Sequence, residues 1–325
     1  MDFNKINIKE IDGLSRWFKH INCVVRIPTF KTKILMGFQI IATIFYFIAP
    51  FIFVLSTTSN ATRHAKNDGD KIITACCLVF PILIFYFLLT YKKIALPLIS
   101  SWRKTRRWSI DPRNTFRDPR RPVLLIRSFA ADKEANNLGE IIQRTPEEDL
   151  AAALRVAGPV ITAGLPGEEG LPLLGATRVY FEQNWDKNII EFFKIANVIV
   201  IDAGNTKALE WEMQCVRNLV HPRRVLISFL NRQDTIDYKT EILEPKRSFA
   251  LFYKSFSNTF QKSFGIALPE FDPNTFLIQF DDNWKPHPIK FSTEKKTISV
   301  SYLFQGLSSF FVNLETLNNI SKMKY

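Results

Sequence analysis

Two long stretches of this chain contain no charged residue. They run from Ile34 to Thr62 and from Ile72 to Tyr91, and most of their positions are apolar. A membrane-spanning helix needs about 20 consecutive apolar residues, so each stretch is long enough to cross a bilayer. Buried core helices are the alternative, but such helices show a polar stripe and seldom run so far without a charge. The pattern therefore predicts an α-helical transmembrane hairpin over residues 34–99.

After Pro122 the hydrophobic pattern changes to short apolar runs that alternate with helical patterns. Val123–Ile126 is a continuous apolar run of the kind that a buried parallel strand needs. Strands separated by helical patterns of about 10–15 residues indicate βαβ units and a parallel sheet. We therefore expect a Rossmann- or flavodoxin-like α/β domain over residues 122–290. Its predicted strands are 123–128, 159–163, 178–181, 197–202, 224–229, 249–254 and 275–280, and its predicted helices are 145–156, 186–196 and 206–219.

The two ends of the chain have patterns of their own. Residues 1–33 form a basic N-terminal segment in which an amphipathic helix is expected near residues 11–25. In the tail, 291–325, apolar residues recur at heptad spacing, at Val300, Leu303, Leu307, Phe310, Leu314 and Leu317. Such an amphipathic helix packs either against a second copy of the chain, giving a homo-oligomer, or on the surface of its own domain. The sequence leaves both possibilities open.

The distribution of charge refines this outline. The net charge is +12, and the excess lies in the N-terminal segment and in the basic juxtamembrane linker, residues 100–121. A DNA-binding domain would carry the excess on its folded surface, so no nucleic-acid partner is expected. Basic residues near membrane spans mark the cytoplasmic side. The pattern predicts a two-span inner-membrane protein with both termini in the cytoplasm and with anionic lipid at the linker.

Candidate ligand-binding residues follow the predicted strands, because ligands of parallel α/β sheets bind at the carboxyl ends of the strands. They are Arg127, Ser128 and Phe129 after the first strand, Gly164 and Gly167 after the second, and Asp202, Gly204, Asn205 and Thr206 after strand 197–202. The last of these turns offers backbone amides at a helix N-terminus, where a phosphate or a ribose hydroxyl could bind. Asn205 and Thr206 are equally suited to act as an ordinary N-cap.

Several kinds of chemistry lack their motifs. The glycine-rich stretch at 164–170 has neither the spacing of a dinucleotide-binding loop nor the Lys-Ser/Thr pair of a Walker A loop. The cysteines show no metal-binding spacing, so no metal site is predicted. The helix after Thr206 carries Glu210 and Glu212, which lie about 200° apart, so only one of them can face the crevice. A carboxylate acting on a glycosidic bond with a good leaving group is the enzymatic possibility that remains.

Two segments resemble Toll/interleukin-1 receptor (TIR) domains. Val123 to Asp132 is a strand followed by Ser-Phe and an acidic turn, and Ile189 to Val216 is a helix, a strand, a polar turn and a helix with Trp and Glu. The resemblance covers roughly residues 122–230. It implies a membrane-anchored effector or sensor in bacterial defence-type signalling that engages a nucleotide such as NAD as ligand or substrate. Glu212 would then be the catalytic residue of an NAD glycohydrolase, supported by Trp211.

Two other classes of function fit the same features. One is a nucleotide-sensing membrane effector without catalysis, which oligomerises and perturbs the bilayer. The other is a membrane scaffold that recruits a partner through its C-terminal helix.

Overall fold

The computed structural model describes the chain in blocks. These are residues 3–30, 111–127, 146–164, 175–181, 184–230, 245–291 and 300–323, with scattered positions between 34 and 52. The chain divides into two compact units. One consists of Met1–Asn4, Pro28–Ser109 and Ile141–Gln143, and the other of Lys5–Ile27, Ile110–Glu140 and Arg144–Tyr325. The second unit is an α/β domain.

The predicted transmembrane hairpin is corrected by the structure. Across the described residues, no helix combines the length and the apolar character that a bilayer crossing requires. A charge-free apolar run supplies only the composition of a span, whereas a span also needs an uninterrupted helix of about 20 residues. Residues 72–91 and most of residues 34–56 lie outside the described residues. The same finding makes the predicted localisation, a two-span inner-membrane protein, wrong.

A mixed seven-stranded sheet forms the centre of the α/β domain. Its strand order is β5-β4-β3-β6-β7-β8-β9, in which β3 to β7 are parallel, β8 runs antiparallel to β7, and β9 runs antiparallel to β8. Successive crossovers leave the centre in opposite directions, β3 to β4 one way and β6 to β7 the other. The point between β3 and β6 is therefore the topological switch point of the sheet. The strands are β3 Val123–Ile126, β4 Val160–Ala163, β5 Thr177–Val179, β6 Val198–Asp202, β7 Val225–Ser228, β8 Thr275–Phe280 and β9 Pro286–Lys290.

Helices cover both faces of this sheet. Because side chains alternate along a strand, Ile199 and Ile201 of β6 point to one face and Val198 and Val200 to the other. The first face packs against α3, α4 and α5, and the second face against α2, α6 and α7. The helices of the domain are α1 Pro112–Arg117, α2 Pro146–Leu154, α3 Trp185–Ile195, α4 Lys207–Leu219, α5 Pro245–Phe264, α6 Val300–Gly306 and α7 Ser308–Met323.

The N-terminal segment packs its residues 5–27 into the first face. It forms strands β1 Phe3–Asn7 and β2 Val24–Pro28, which pair with each other, where an amphipathic helix over 11–25 was expected. Val24 and Tyr180 exchange two backbone hydrogen bonds of 2.9 Å, which attach β2 beside the edge strand β5. Phe18 is fully buried, with its ring 5.0 Å from that of Phe116 on α1. The segment and α1 therefore belong to the same core as the sheet.

Two predictions for the C-terminal part of the chain can be compared with the structure: the strand at 249–254 and the packing of the tail helix. The predicted strand 249–254 is wrong, because these residues lie inside α5. In the tail, Leu303, Leu307, Phe310 and Leu314 are buried against the second face of the sheet. The heptad spacing thus reflects packing on the chain's own domain.

Candidate functional site

The switch point brings two charged side chains to neighbouring strand ends. Ile126 of β3 pairs with Ile201 of β6, so the next residues on these strands, Arg127 and Asp202, stand at the same level of the sheet. Arg127 is only 6% exposed and Asp202 only 2%. Charged side chains are seldom buried to this extent unless they are paired or serve a function. Of the other predicted ligand residues, Ser128, Phe129 and Gly167 lie outside the described residues.

Further buried polar side chains share the second face with Asp202. Asp202 pairs with Ser228 at the end of β7, and Thr162 of β4 pairs with Arg178 of β5. Asp149 is buried in the early part of α2, a helix that follows β3 and so begins at the carboxyl edge. More than half of the buried polar residues in the described chain belong to this group, which we name the carboxyl-edge cluster: Arg127, Asp149, Thr162, Arg178, Asp202 and Ser228.

Gly164, a predicted ligand residue, has a structural role. A Cβ atom at this position would lie 2.6 Å from Cε1 of Tyr180 and 2.8 Å from Cδ of Arg178. Such distances are far shorter than ordinary van der Waals contacts, so only glycine fits between these side chains. Close packing against the segment around β5 accounts for this glycine without a ligand.

The turn between β6 and α4 also uses its polar residues internally. Thr206 is the N-cap of α4, and its hydroxyl oxygen accepts a hydrogen bond of 3.3 Å from the amide of Leu209. Asn205 donates from Nδ2 to the hydroxyl oxygen of Ser255 on α5, at 3.1 Å. Gly204, which lies between Asp202 and Asn205 in the chain, is buried. Thr206 therefore acts as the N-cap of α4. The hydrogen bond of Asn205 connects the turn to α5.

Glu212 lies inside the protein on the opposite face of the sheet. Together with Leu209, Met213 and Val216 it forms the buried side of α4, and it is only 2% exposed. It forms no hydrogen bond or ion pair within the described part of the chain. Burial raises the pKa of Glu212 to about 8, because desolvation disfavours the charged carboxylate. Its carboxyl group is therefore mostly protonated at pH 7.

Two tryptophans meet beside Glu212. Trp211 precedes it on α4, and Trp185 is the first residue of α3. Their ring centroids are 5.2 Å apart, with the planes inclined by 43°, and both rings are partly exposed. Trp185 was absent from the residues singled out in the sequence. Its position at the start of a helix that follows a strand was the signal, because such helices begin at the carboxyl edge.

The predicted site residues thus fall into two groups. Arg127 and Asp202 belong to the second face, while Trp211 and Glu212 belong to the first. Glu212 lies five residues after Lys207, or about 8 Å along α4 from its start. No family model, curated protein or solved structure matches this chain, and the resemblance to TIR domains stays a prediction.

Proposed function

We propose that the carboxyl edge of the sheet binds a nucleotide such as NAD, and that the protein is a TIR-like sensor or effector. The observation that carries this proposal is the burial of Arg127 and Asp202 side by side at the switch point of the sheet. Ligands of open α/β sheets bind in the crevice at this point.

The residue types suit the parts of a dinucleotide. A guanidinium group recognises phosphate oxygens through parallel hydrogen bonds, which gives Arg127 a role toward the diphosphate. A carboxylate at the end of a strand accepts hydrogen bonds from ribose hydroxyls, as in other dinucleotide-binding sheets, and this is the role of Asp202. Ser228, the register partner of Asp202, adds a hydroxyl group at the same edge.

Binding can be tested on the purified full-length protein by isothermal titration calorimetry with NAD. We expect saturable binding that weakens at least about tenfold in Asp202→Asn, equivalent to about 1.4 kcal/mol. Asp282→Asn is the matched control, because Asp282 pairs with Arg223 at 2.6 Å near the opposite edge of the sheet. Circular dichroism verifies that both variants fold. A protein that does not bind NAD, or an Asp202→Asn variant that binds it equally well, contradicts the proposal.

A second candidate function is hydrolysis of the bond between nicotinamide and ribose, and the pair of tryptophans beside the buried Glu212 favours it. In this reaction the C1′–N bond breaks, its electron pair leaves with nicotinamide, and a water oxygen attacks C1′ and loses its proton to solvent. The transition state carries oxocarbenium charge that a carboxylate stabilises. Glu212 acts in its ionised form, and the positive charge of the nicotinamide ring favours this ionisation.

The hydrolysis proposal predicts a specific dependence on pH. Because kcat/KM reports the ionisation of the free enzyme, it should rise with pH and level off above about 8, the pKa of Glu212. Glu212→Gln should abolish NAD loss, measured by chromatography, while NAD binding persists. Glu210→Gln, on a less buried side of α4, should retain activity. Hydrolysis that survives Glu212→Gln would exclude Glu212 as the catalytic residue.

A further inference from the structure

Two arginines at the amino edge of the sheet, opposite the proposed nucleotide site, have no acidic partner in the part of the chain that the structure describes. Arg121 comes just before β3 and Arg224 just before β7, and β6 runs between these strands. Their sequence neighbours are paired with acids. Arg120 binds Asp118 at 2.7 Å, and Arg223 binds Asp282 at 2.6 Å. Neither Arg121 nor Arg224 forms an ion pair with any acid in the described residues.

The contacts of the two arginines bring no anionic group to them, although the guanidinium of Arg121 also lies over the ring of Trp17, 5.2 Å from its centroid. Arg121 donates from Nε and Nη2 to the carbonyl oxygens of Ile195 and Lys194, at 2.8 and 2.9 Å. Arg224 donates from Nη2 to the side-chain oxygen of Asn318 over a long 3.4 Å, and its enclosed Nε has no hydrogen-bond partner in the described chain. Carbonyl and amide oxygens carry no full charge. Both guanidinium groups therefore lack a counter-ion although both side chains are partly buried.

This arrangement disfavours the charged form of both arginines. Burial, followed by the positive charge of Arg224, lowers the pKa of Arg121 to about 10, and burial lowers the pKa of Arg224 as well. Like charges in a partly buried site repel each other more strongly than they do in water. Asp282, an acid at the same edge of the sheet, is already bound to Arg223 and lies 3.6 Å from His221. An anion between Arg121 and Arg224 would offset the repulsion.

We propose that Arg121 and Arg224 form a binding site for a small oxyanion of the phosphate or phosphate-monoester class. Guanidinium groups match phosphate oxygens in geometry as well as in charge. Nη1 of Arg121 makes no hydrogen bond among the described residues, and Arg224 is held by one long bond, so both have donors to offer. Asn318 of α7 lies beside the site, because it accepts the hydrogen bond from Arg224. It also donates to Asn197 at 3.0 Å, which attaches α7 to the core of the domain. This site is independent of the nucleotide site at the carboxyl edge.

The test uses thermal unfolding of the full-length protein in rising concentrations of inorganic phosphate, against sodium chloride at equal ionic strength. We expect phosphate, but not chloride, to raise Tm in a saturable manner, since a ligand that binds only the folded state stabilises it. Arg224→Gln should remove this increase in Tm. Arg223→Gln, the adjacent arginine with its own acidic partner, should retain it, and so should Asp202→Asn at the carboxyl edge.

Calorimetric titration with inorganic phosphate and with a nucleoside monophosphate identifies the source of the anion. If the monophosphate binds more tightly than inorganic phosphate, the ligand of the site is a phosphate ester; if the two affinities are equal, it is free phosphate. Both results support an oxyanion site. Either affinity should fall at least about tenfold in Arg224→Gln. The proposal is overturned if phosphate stabilises the wild-type protein no more than chloride does, or if Arg224→Gln responds as the wild type does. The first of these outcomes needs no variant, so it holds even if a variant fails to fold.

Discussion

Glu212 illustrates what helical geometry decides at a single residue. The sequence indicates that only one of Glu210 and Glu212 can face inward, and the structure places Glu212 there, between Leu209 and Met213 on the buried side of α4. Which of the two would be buried did not follow from the sequence, because it depends on how α4 is rotated against the sheet. The apolar positions 209, 213 and 216 determine that rotation. An acid on the same side is then buried without a partner in the described residues.

Burial of Glu212 predicts a pH dependence of stability. Its pKa rises from an ordinary value of 4.5 to about 8 in the folded protein. Below pH 4.5 both states carry the proton, so the contribution to stability is fully present. Between pH 4.5 and about 8 unfolding releases the proton, and the free energy of unfolding falls by up to about 1.4 kcal/mol per pH unit. Above about pH 8 the carboxyl group is ionised in both states and the loss is complete.

The Glu212→Gln variant lacks this titratable group. The difference in free energy of unfolding between the variant and the wild type should therefore favour the variant more at pH 8 than at pH 5. Urea denaturation at both pH values measures the difference. Glu210→Gln, partly exposed on the same helix, should follow the wild type at both. A difference between wild type and Glu212→Gln that does not change with pH would show that the carboxyl group does not titrate in this range.

At the scale of elements, the sequence predicted the central strands and helices well, because their signals are local. The runs at 123–126, 198–202 and 275–280 lie in strands, and the pattern at 206–219 matches α4 almost residue for residue. The segment 249–254 was misread because a short apolar run fits a strand and a helix equally. Its buried aromatic residues continue at Phe256, Phe260 and Phe264. This helical spacing extends beyond the window that suggested a strand.

The tail helix carries a prediction of its own. Leu307 is fully buried and Leu314 is 3% exposed, both against the second face of the sheet. Replacing either by Lys removes a buried leucine, which alone costs about 2–5 kcal/mol, and introduces a charge without a partner. Leu307→Lys should therefore unfold or strongly destabilise the domain in a urea titration. Val312→Lys, at a position that is 63% exposed on the same helix, should change stability little. A Leu307→Lys variant that is folded but converted from oligomer to monomer would instead assign the leucines to an interface between copies.

At the scale of the whole molecule, the sequence could not show which distant segments meet. The carboxyl-edge cluster combines residues from β3, α2, β4, β5, β6 and β7, and only the strand order places them together. Arg178 and Asp149 gave no local signal, since each is an ordinary polar residue in its own segment. The same limit applies to the N-terminal segment. An amphipathic helix was expected near residues 11–25, whereas the partners of the segment, Phe116, Phe192 and Tyr180, lie about 100 to 170 residues away in the chain.

The packing of that segment predicts that it folds with the domain as one cooperative unit. Phe18 is fully buried, and its ring centroid lies 5.0 Å from that of Phe116 and 6.4 Å from that of Phe192. Phe18→Ala should lower the free energy of unfolding by about 3–5 kcal/mol, a large fraction of the 5–15 kcal/mol typical of a domain. Urea unfolding followed by far-ultraviolet circular dichroism and by tryptophan fluorescence should show both transitions shifting together. Lys19→Ala, at the exposed next position, serves as the control and should leave both unchanged. If instead the main transition stays in place in Phe18→Ala, the N-terminal segment is an appendage whose contacts contribute little to the stability of the sheet.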